Sequence, residues 1–178
     1  KDVIAEINSA HTNKKYLGKH ELPLSLQATT DLAQAFAHSH IYVLAIPAQQ
    51  LRLTLEEWKP FFSTDSIIVS TLKGIEISTQ MRMTEVIQDV LGPRPIAIIT
   101  GPNLADELVL RQPAGAVAAA ATQELADRMR DLFRTPYYRV YTSVDVMGCE
   151  LAGAIKSVIA LAVGISIGMG FGENTQAM

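Results

Sequence analysis

Ile41-Tyr42-Val43-Leu44-Ala45-Ile46-Pro47 is an unbroken apolar run stopped by a proline. A continuous run of this length suits a strand covered on both faces, as in a parallel sheet. The same unit recurs downstream. Residues 66–71 (Ser-Ile-Ile-Val-Ser-Thr) and 96–100 (Ile-Ala-Ile-Ile-Thr) read as strands, ended by Lys73-Gly74 and by Gly101-Pro102-Asn103. Helical patterns lie between and after them, at 51–58, 79–91 and 104–110. Alternating buried strands and helices predict a doubly wound parallel α/β sheet.

Further along, the alanine-rich stretch 114–121 is ambiguous, because alanine favours helix while Pro113 and Gly115 sit at its start. Thr122 is a helix cap for 123–133, so 116–121 is expected as a strand, and 137–142 as another. On the other side of the opening run, residues 2–9 read as a helix, within an opening Lys1-Asp2-Val3-Ile4 that lacks a cap. Residues 22–24 read as extended, since a residue before proline avoids the helical region. Asp31, with Gln34 three residues later, reads as the start of a helix over 32–38. From Val144 the composition changes to an uncharged, small-residue helix. This places a domain boundary near 143–146, dividing residues 1–143 from 144–178.

The 178 residues, 48% hydrophobic, are enough for one sizeable domain or for one and part of another. A net charge of -3 leaves no electrostatic footprint for nucleic acid. The single cysteine, Cys149, excludes an internal disulfide and is expected as a small buried hydrophobe in a reducing, cytoplasmic setting. His38-Ser39-His40 has metal-like spacing but no cysteine or carboxylate nearby, so it reads as a loop, and no metal is expected. The chain shows no signal-peptide pattern, and both ends read as those of a piece of a longer protein.

Residues 151–172, LAGAIKSVIALAVGISIGMGFG, carry one charge, Lys156. On a helix its neighbours three and four positions away are Ala152, Gly153, Ile159 and Ala160, none able to pair with an ammonium. An ammonium held away from water gives up its proton more readily, which suits proton transfer. The small residues would let another segment or a ligand approach that face. The stretch is long enough to span a membrane, but Lys156, five glycines and the lack of basic flanks argue against a span. An exposed apolar helix here would need a partner surface, which a homodimer would supply.

Ligands of open α/β sheets bind beyond the carboxyl ends of the strands. Pro47, Lys73 and Gly101 all fall there. A lysine directly after a buried strand can meet a phosphate or a carbonyl oxygen, and Gly101-Pro102-Asn103 opens a helix whose free N–H groups favour anions. No nucleophile elbow, zinc spacing, Walker pattern or G-x-G-x-x-G fingerprint is present.

The order of these motifs resembles one family, the NAD(P)-dependent glycerol-3-phosphate dehydrogenases, along nearly the whole chain. The likeness rests on Lys15-Tyr16-Leu17, Leu22-Pro23-Leu24, Ala28-Thr29-Thr30-Asp31-Leu32, Ala45-Ile46-Pro47-Ala48-Gln49 and Lys73-Gly74-Ile75-Glu76. It continues through Thr100-Gly101-Pro102-Asn103-Leu104-Ala105-Asp106-Glu107, Pro136-Tyr137-Tyr138-Arg139, Gly153-Ala154-Ile155-Lys156 and Gly170-Phe171-Gly172-Glu173-Asn174. It departs from the family pattern at Ser157, at Ser166-Ile167-Gly168 and at Gln176. The resemblance implies an incomplete Rossmann-like sheet followed by the first helix of an all-α substrate-binding domain. It implies hydride transfer between NAD or NADP and C2 of dihydroxyacetone phosphate, giving sn-glycerol 3-phosphate. Lys156 would match the general acid/base, Lys73 the lysine touching substrate and nicotinamide, and Gly101 and Asn103 the substrate-side turn. Ala105 and Pro47 would match cofactor contacts. The family's glycine fingerprint would precede residue 1, so these residues alone are not expected to turn over. Two other readings remain open: a truncated non-catalytic relative acting as a binding module, and a related reductase of 2-hydroxy-acid type.

Overall fold

The computed structural model of the protein describes residues 2–178, leaving Lys1 outside. Five strands form one sheet in sequential order. They are β1 (Ile41–Leu44), β2 (Ile67–Ser70), β3 (Ile96–Thr100), β4 (Ala114–Ala120) and β5 (Tyr138–Ser143). The helices are α1 (Asp2–Ala10), α2 (Lys14–Leu17), α3 (Leu32–Ala37), α4 (Leu51–Trp58), α5 (Met83–Leu91), α6 (Ala105–Val109), α7 (Gln123–Phe133), α8 (Val146–Gly168) and α9 (Glu173–Ala177).

The doubly wound reading holds because successive strand residues point to opposite faces. Ile68 joins a core with Leu51 and Leu55 of α4 and Met83, Val86 and Ile87 of α5. Its neighbours Ile67 and Val69 join the other core, with Ala97, Ile99, the even-numbered alanines of β4, and Ala126 and Met129 of α7. The sheet is not wholly parallel, however. β1, β2 and β3 run one way, whereas β3 and β4 are antiparallel, with Thr100 opposite Val117, and β4 and β5 are parallel to each other. Nor is β1 covered on both faces: it is an end strand, and Val43 is 48% exposed.

Several local expectations hold. The Asp31 side chain accepts from the Gln34 N–H and the Thr122 hydroxyl accepts from the Leu125 N–H, so both helices start at a side-chain cap. Other boundaries move. β4 begins at Ala114, because the Ala114 N–H bonds the Tyr137 carbonyl. Leu24 lies in a turn closed by Leu26 N–H donating to the Pro23 carbonyl. Helix α5 starts at Met83 and not at 79, since Thr79 is taken by the preceding loop: its hydroxyl donates to Glu76, and Gln80 adopts a left-handed φ of 61°.

That loop, residues 71–82, carries Lys73, and three sets of bonds hold it. The Thr71 N–H and hydroxyl both donate to the Leu44 carbonyl, joining the ends of β1 and β2. Gln49 donates to the Ile75 carbonyl and accepts from the Ile77 N–H. Arg52 of α4 clasps the buried Glu76 carboxylate through Nε and Nη2 at 3.0 and 2.9 Å, and reaches Asp89 of α5 as well. The Arg52 guanidinium and the Thr79 hydroxyl hold the Glu76 carboxyl below its ordinary value of 4.5.

Helix α8 begins at Asp145, whose side chain accepts from the Gly148 N–H. It ends in a Schellman motif: Phe171 N–H donates to the Ser166 carbonyl, Gly170 N–H to that of Ile167, and Gly170 has φ +76°. Its length and mean hydropathy would let it cross a membrane, and its apolar residues lie exposed. Its first half packs on β3 and β4.

Two stability measurements check this arrangement. Ile87→Ala, at a fully buried site in the α5-side core, should lower the free energy of unfolding by about 2–5 kcal/mol in denaturant titrations. Leu53→Ala, at a 71% exposed position, should change it by no more than about 0.5 kcal/mol. A carboxyl whose folded value is depressed stabilises the fold above its unfolded value and loses that contribution as pH falls through the folded one. Glu76→Gln should therefore cost roughly 1.5–3 kcal/mol at neutral pH, and thermal melts should show the gap to the unmutated protein closing below about pH 4.5.

Candidate functional site

A cleft of about 300 Å³ opens at the carboxyl edge of β2 and β3, lined by Lys73, Thr100, Gly101, Pro102, Val117, Cys149, Ala152, Gly153 and Lys156. Three of the elements meeting there were expected from sequence: the end of β2, the turn after β3, and the lysine helix. Val117 enters because β4 runs against β3.

The turn at Gly101 is backbone-tight. A Cβ on Gly101 would lie 2.6 Å from the Gly115 carbonyl oxygen and 2.9 Å from Ala116 Cα, so only glycine lets the chain pass there. Lys73 Nζ donates to the Gly101 carbonyl oxygen at 2.6 Å, bridging the ends of β2 and β3 and setting one cation at the rim. Gly74, with φ +152°, turns the chain away next to Ala48.

The α8 side of the cleft is the stripe Cys149, Ala152, Gly153 and Lys156. These positions, spaced i, i+3, i+4 and i+7, share one helix face. A Cβ on Gly153 would lie 3.2 Å from Thr100 Oγ1 and 3.7 Å from Lys73 Cγ, so the missing side chain is what lets α8 settle on the end of β3. The expectation that small residues admit a close neighbour is met by the sheet itself. Cys149 is only half-buried and belongs to the cleft wall, not to the core.

Lys156 lines the same cleft as Lys73 and Gly101, but it is not desolvated. It is exposed, and among the described residues it has no hydrogen-bond or ion-pair partner. The apolar side chains beside it on α8, Ile155, Val158 and Ile159, are exposed too, since no described segment packs over that part of the helix. The sequence expectation of a lysine sealed in apolar surroundings is corrected accordingly: the position holds, the burial does not.

Asn103 lies outside the cleft lining, in the turn before α6. Its Oδ1 accepts from the Tyr138 hydroxyl at 2.9 Å, which leaves the amide NH2 free to donate. Burial pushes the Tyr138 phenol up, against the opposing effect of that bond. Ala105 and Pro47 are exposed at the starts of α6 and of the turn before α4, and neither touches the cleft. Gln176 turns back to donate to the Phe171 carbonyl at 2.7 Å. Among the described residues no group of three His, Cys, Asp or Glu is placed to hold a metal.

One residue that sequence reading passed over is Glu150. Its buried carboxylate accepts from the Thr84 N–H at 2.9 Å, from the Thr84 hydroxyl at 2.6 Å and from Arg82 Nη1 at 2.7 Å. The signal was available, since Glu150 is an acidic residue immediately before a helical stretch with a single charge.

Comparison with known proteins agrees with the motif order. Residues 1–126 match the family model for the NAD-dependent glycerol-3-phosphate dehydrogenase N-terminus, and residues 145–178 the model for its C-terminus. A Streptomyces avermitilis glycerol-3-phosphate dehydrogenase [NAD(P)+] is 50% identical over 96% of this chain and 51% of its own length. The Thermobifida fusca protein of the same name is 47% identical over 99% of this chain and 53% of its own length. The crystal structure of glycerol-3-phosphate dehydrogenase from Coxiella burnetii superposes with a TM-score of 0.87 at 27% identity, covering 99% of this chain and 54% of that one. The chain thus spans about half the length of the curated relatives it matches. A mostly parallel Rossmann-like sheet, a two-lysine cleft at its carboxyl edge and matches on both sides of the sheet-to-helix junction lead to one assignment: this chain belongs to the NAD-dependent glycerol-3-phosphate dehydrogenase family.

Proposed function

We propose that the protein containing this chain interconverts dihydroxyacetone phosphate and sn-glycerol 3-phosphate. The observation that carries the reading is the convergence of Lys73 and Lys156, from two different elements, on one cleft at the strand ends. Lys156 is the general acid/base: its ammonium gives a proton to the C2 oxygen in reduction, and its neutral amine takes one from the C2 hydroxyl in oxidation. Being free of partners, the ammonium breaks no bond within the protein to act. Lys73, fixed by the Gly101 carbonyl, places a second positive charge where a carbonyl oxygen or a phosphate would be drawn in.

NAD or NADP supplies the hydride when bound. Outside the cleft, Pro47 and Ala105 are exposed near the strand ends and present short apolar side chains against which a flat ring fits. Pro47, Lys73 and Ala105 are the cofactor contacts in this reading. Gly101 and Asn103, with both lysines, hold the substrate, the oriented amide of Asn103 offering a donor. Residues 1–143 form the dinucleotide-binding part and 144–178 begin a helical substrate-binding domain, a division supported by the family matches ending at 126 and resuming at 145.

In the full-length protein, NADH or NADPH should be oxidised when dihydroxyacetone phosphate is added, followed by absorbance. Lys156→Met should lower kcat by about 10²–10⁴-fold. Because Lys156 is exposed and unpaired, its melting temperature should stay at the unmutated value. Lys73→Met should raise KM for dihydroxyacetone phosphate by about 10- to 100-fold, the worth of a charged hydrogen bond. Unchanged kcat in Lys156→Met would remove that lysine from the reaction.

A further inference from the structure

Among the described residues only two charged side chains are buried, Glu76 and Glu150, and each stands close in sequence to one lysine of the cleft. Glu76 steadies the loop that carries Lys73. Glu150 stands six residues before Lys156, about 9 Å along the helix axis. Its contacts are all with the start of α5. The Thr84 N–H is one of the donors that a helix N-terminus leaves free, and the carboxylate of α8 takes it. The Arg82 N–H is taken separately by Glu85, so the Arg82 guanidinium is left to span Glu85 and Glu150. No other side chain of α8 hydrogen-bonds to another element among the described residues. On the cleft side α8 presents Cys149, Ala152 and Gly153, small residues that resist rotation of a helix weakly.

We propose that Glu150 is a positioning residue for Lys156: its three-bond clasp on the first turn of α5 sets the rotation and height of α8, and so aims the lysine into the cleft. The proposal rests on Lys156 being the acid/base. Loss of the clasp leaves the smooth stripe 149–156 free to turn about the helix axis, and the lysine, at the far end of that stripe, moves off the line to Lys73 and Gly101.

The test uses the full-length protein with Glu150→Ala, Glu150→Gln, Thr84→Val and Lys156→Met, reading kcat, KM for both substrates, cofactor Kd and melting temperature. Glu150→Ala should lower kcat on the order of 10- to 100-fold while cofactor Kd stays within about 2-fold. Glu150→Gln, which keeps an acceptor for the Thr84 N–H, should recover part of that loss. Thr84→Val, which removes the hydroxyl donor alone, should lose about 3-fold. Placed in Lys156→Met protein, Glu150→Ala should lower the residual rate no further, because the group it aims is gone. The proposal is overturned if Glu150→Ala keeps full kcat, or if its loss is as large in the Lys156→Met background. Should Glu150→Ala fail to fold, the order of kcat in the Gln and Val variants decides: values that follow melting temperature alone overturn the proposal. Full activity in Lys156→Met would instead fail the underlying acid/base reading, and that result is distinct from every one of these.

Discussion

The buried carboxylate of Glu150 against the start of α5 is the contact on which the arrangement depends. It joins α8, the helix that carries Lys156 at the cleft, to the sheet-packed helix α5. A buried charge is costly unless hydrogen bonds and an opposite charge surround it. Glu150 has both, so moving α8 relative to α5 would strip a desolvated carboxylate of its partners. The same logic holds on the other wall, where Arg52 and Thr79 surround Glu76 and the Lys73 loop inherits the rigidity of α4. Two exposed lysines are thus carried by segments whose anchor points are buried and charged.

The reversal of strand direction between β3 and β4 is what gives α8 its course. With β4 and β5 antiparallel to the first three strands, β5 ends level with Ile98 and heads toward the start of β3, away from the cleft. The chain must then climb to reach the carboxyl ends of β2 and β3, and the first turns of α8 make that climb over β3 and β4, beside α5. Beyond Gly153 the apolar side chains Ile155, Val158, Ile159, Leu161 and Ile165 are exposed.

Much of this was legible in the chain. The apolar runs gave β2 and β3, and the hydroxyl and carboxylate caps Thr122 and Asp31 placed helix starts correctly, because a cap is a local interaction between residues three apart. Strand direction was not legible: periodicity records which face a residue takes, not which way its strand runs, and a buried alanine strand reads alike in either sense. The start of α5 was misplaced because Thr79 answers to Glu76 and Arg52, a network spread over separate segments. The motif residues 73, 101 and 156 were correctly grouped in one cleft. Exposure of Lys156 was misjudged because the apolar residues around it point to a surface that no described segment fills, and apolar sequence alone does not say what lies opposite. Glu150 escaped because its partners, Arg82 and Thr84, are more than sixty residues away.

The close seat of Gly153 on Thr100 has one more consequence. Where a bare glycine faces a short threonine side chain and the stem of Lys73, there is little slack to absorb a change of spacing. The separation between the lysine's carrier and the strand tips is therefore set at this crossing, while the rotation of the helix is left to Glu150. Depth and rotation are thus held by different residues, and the long flexible stem of the lysine covers the reach that remains.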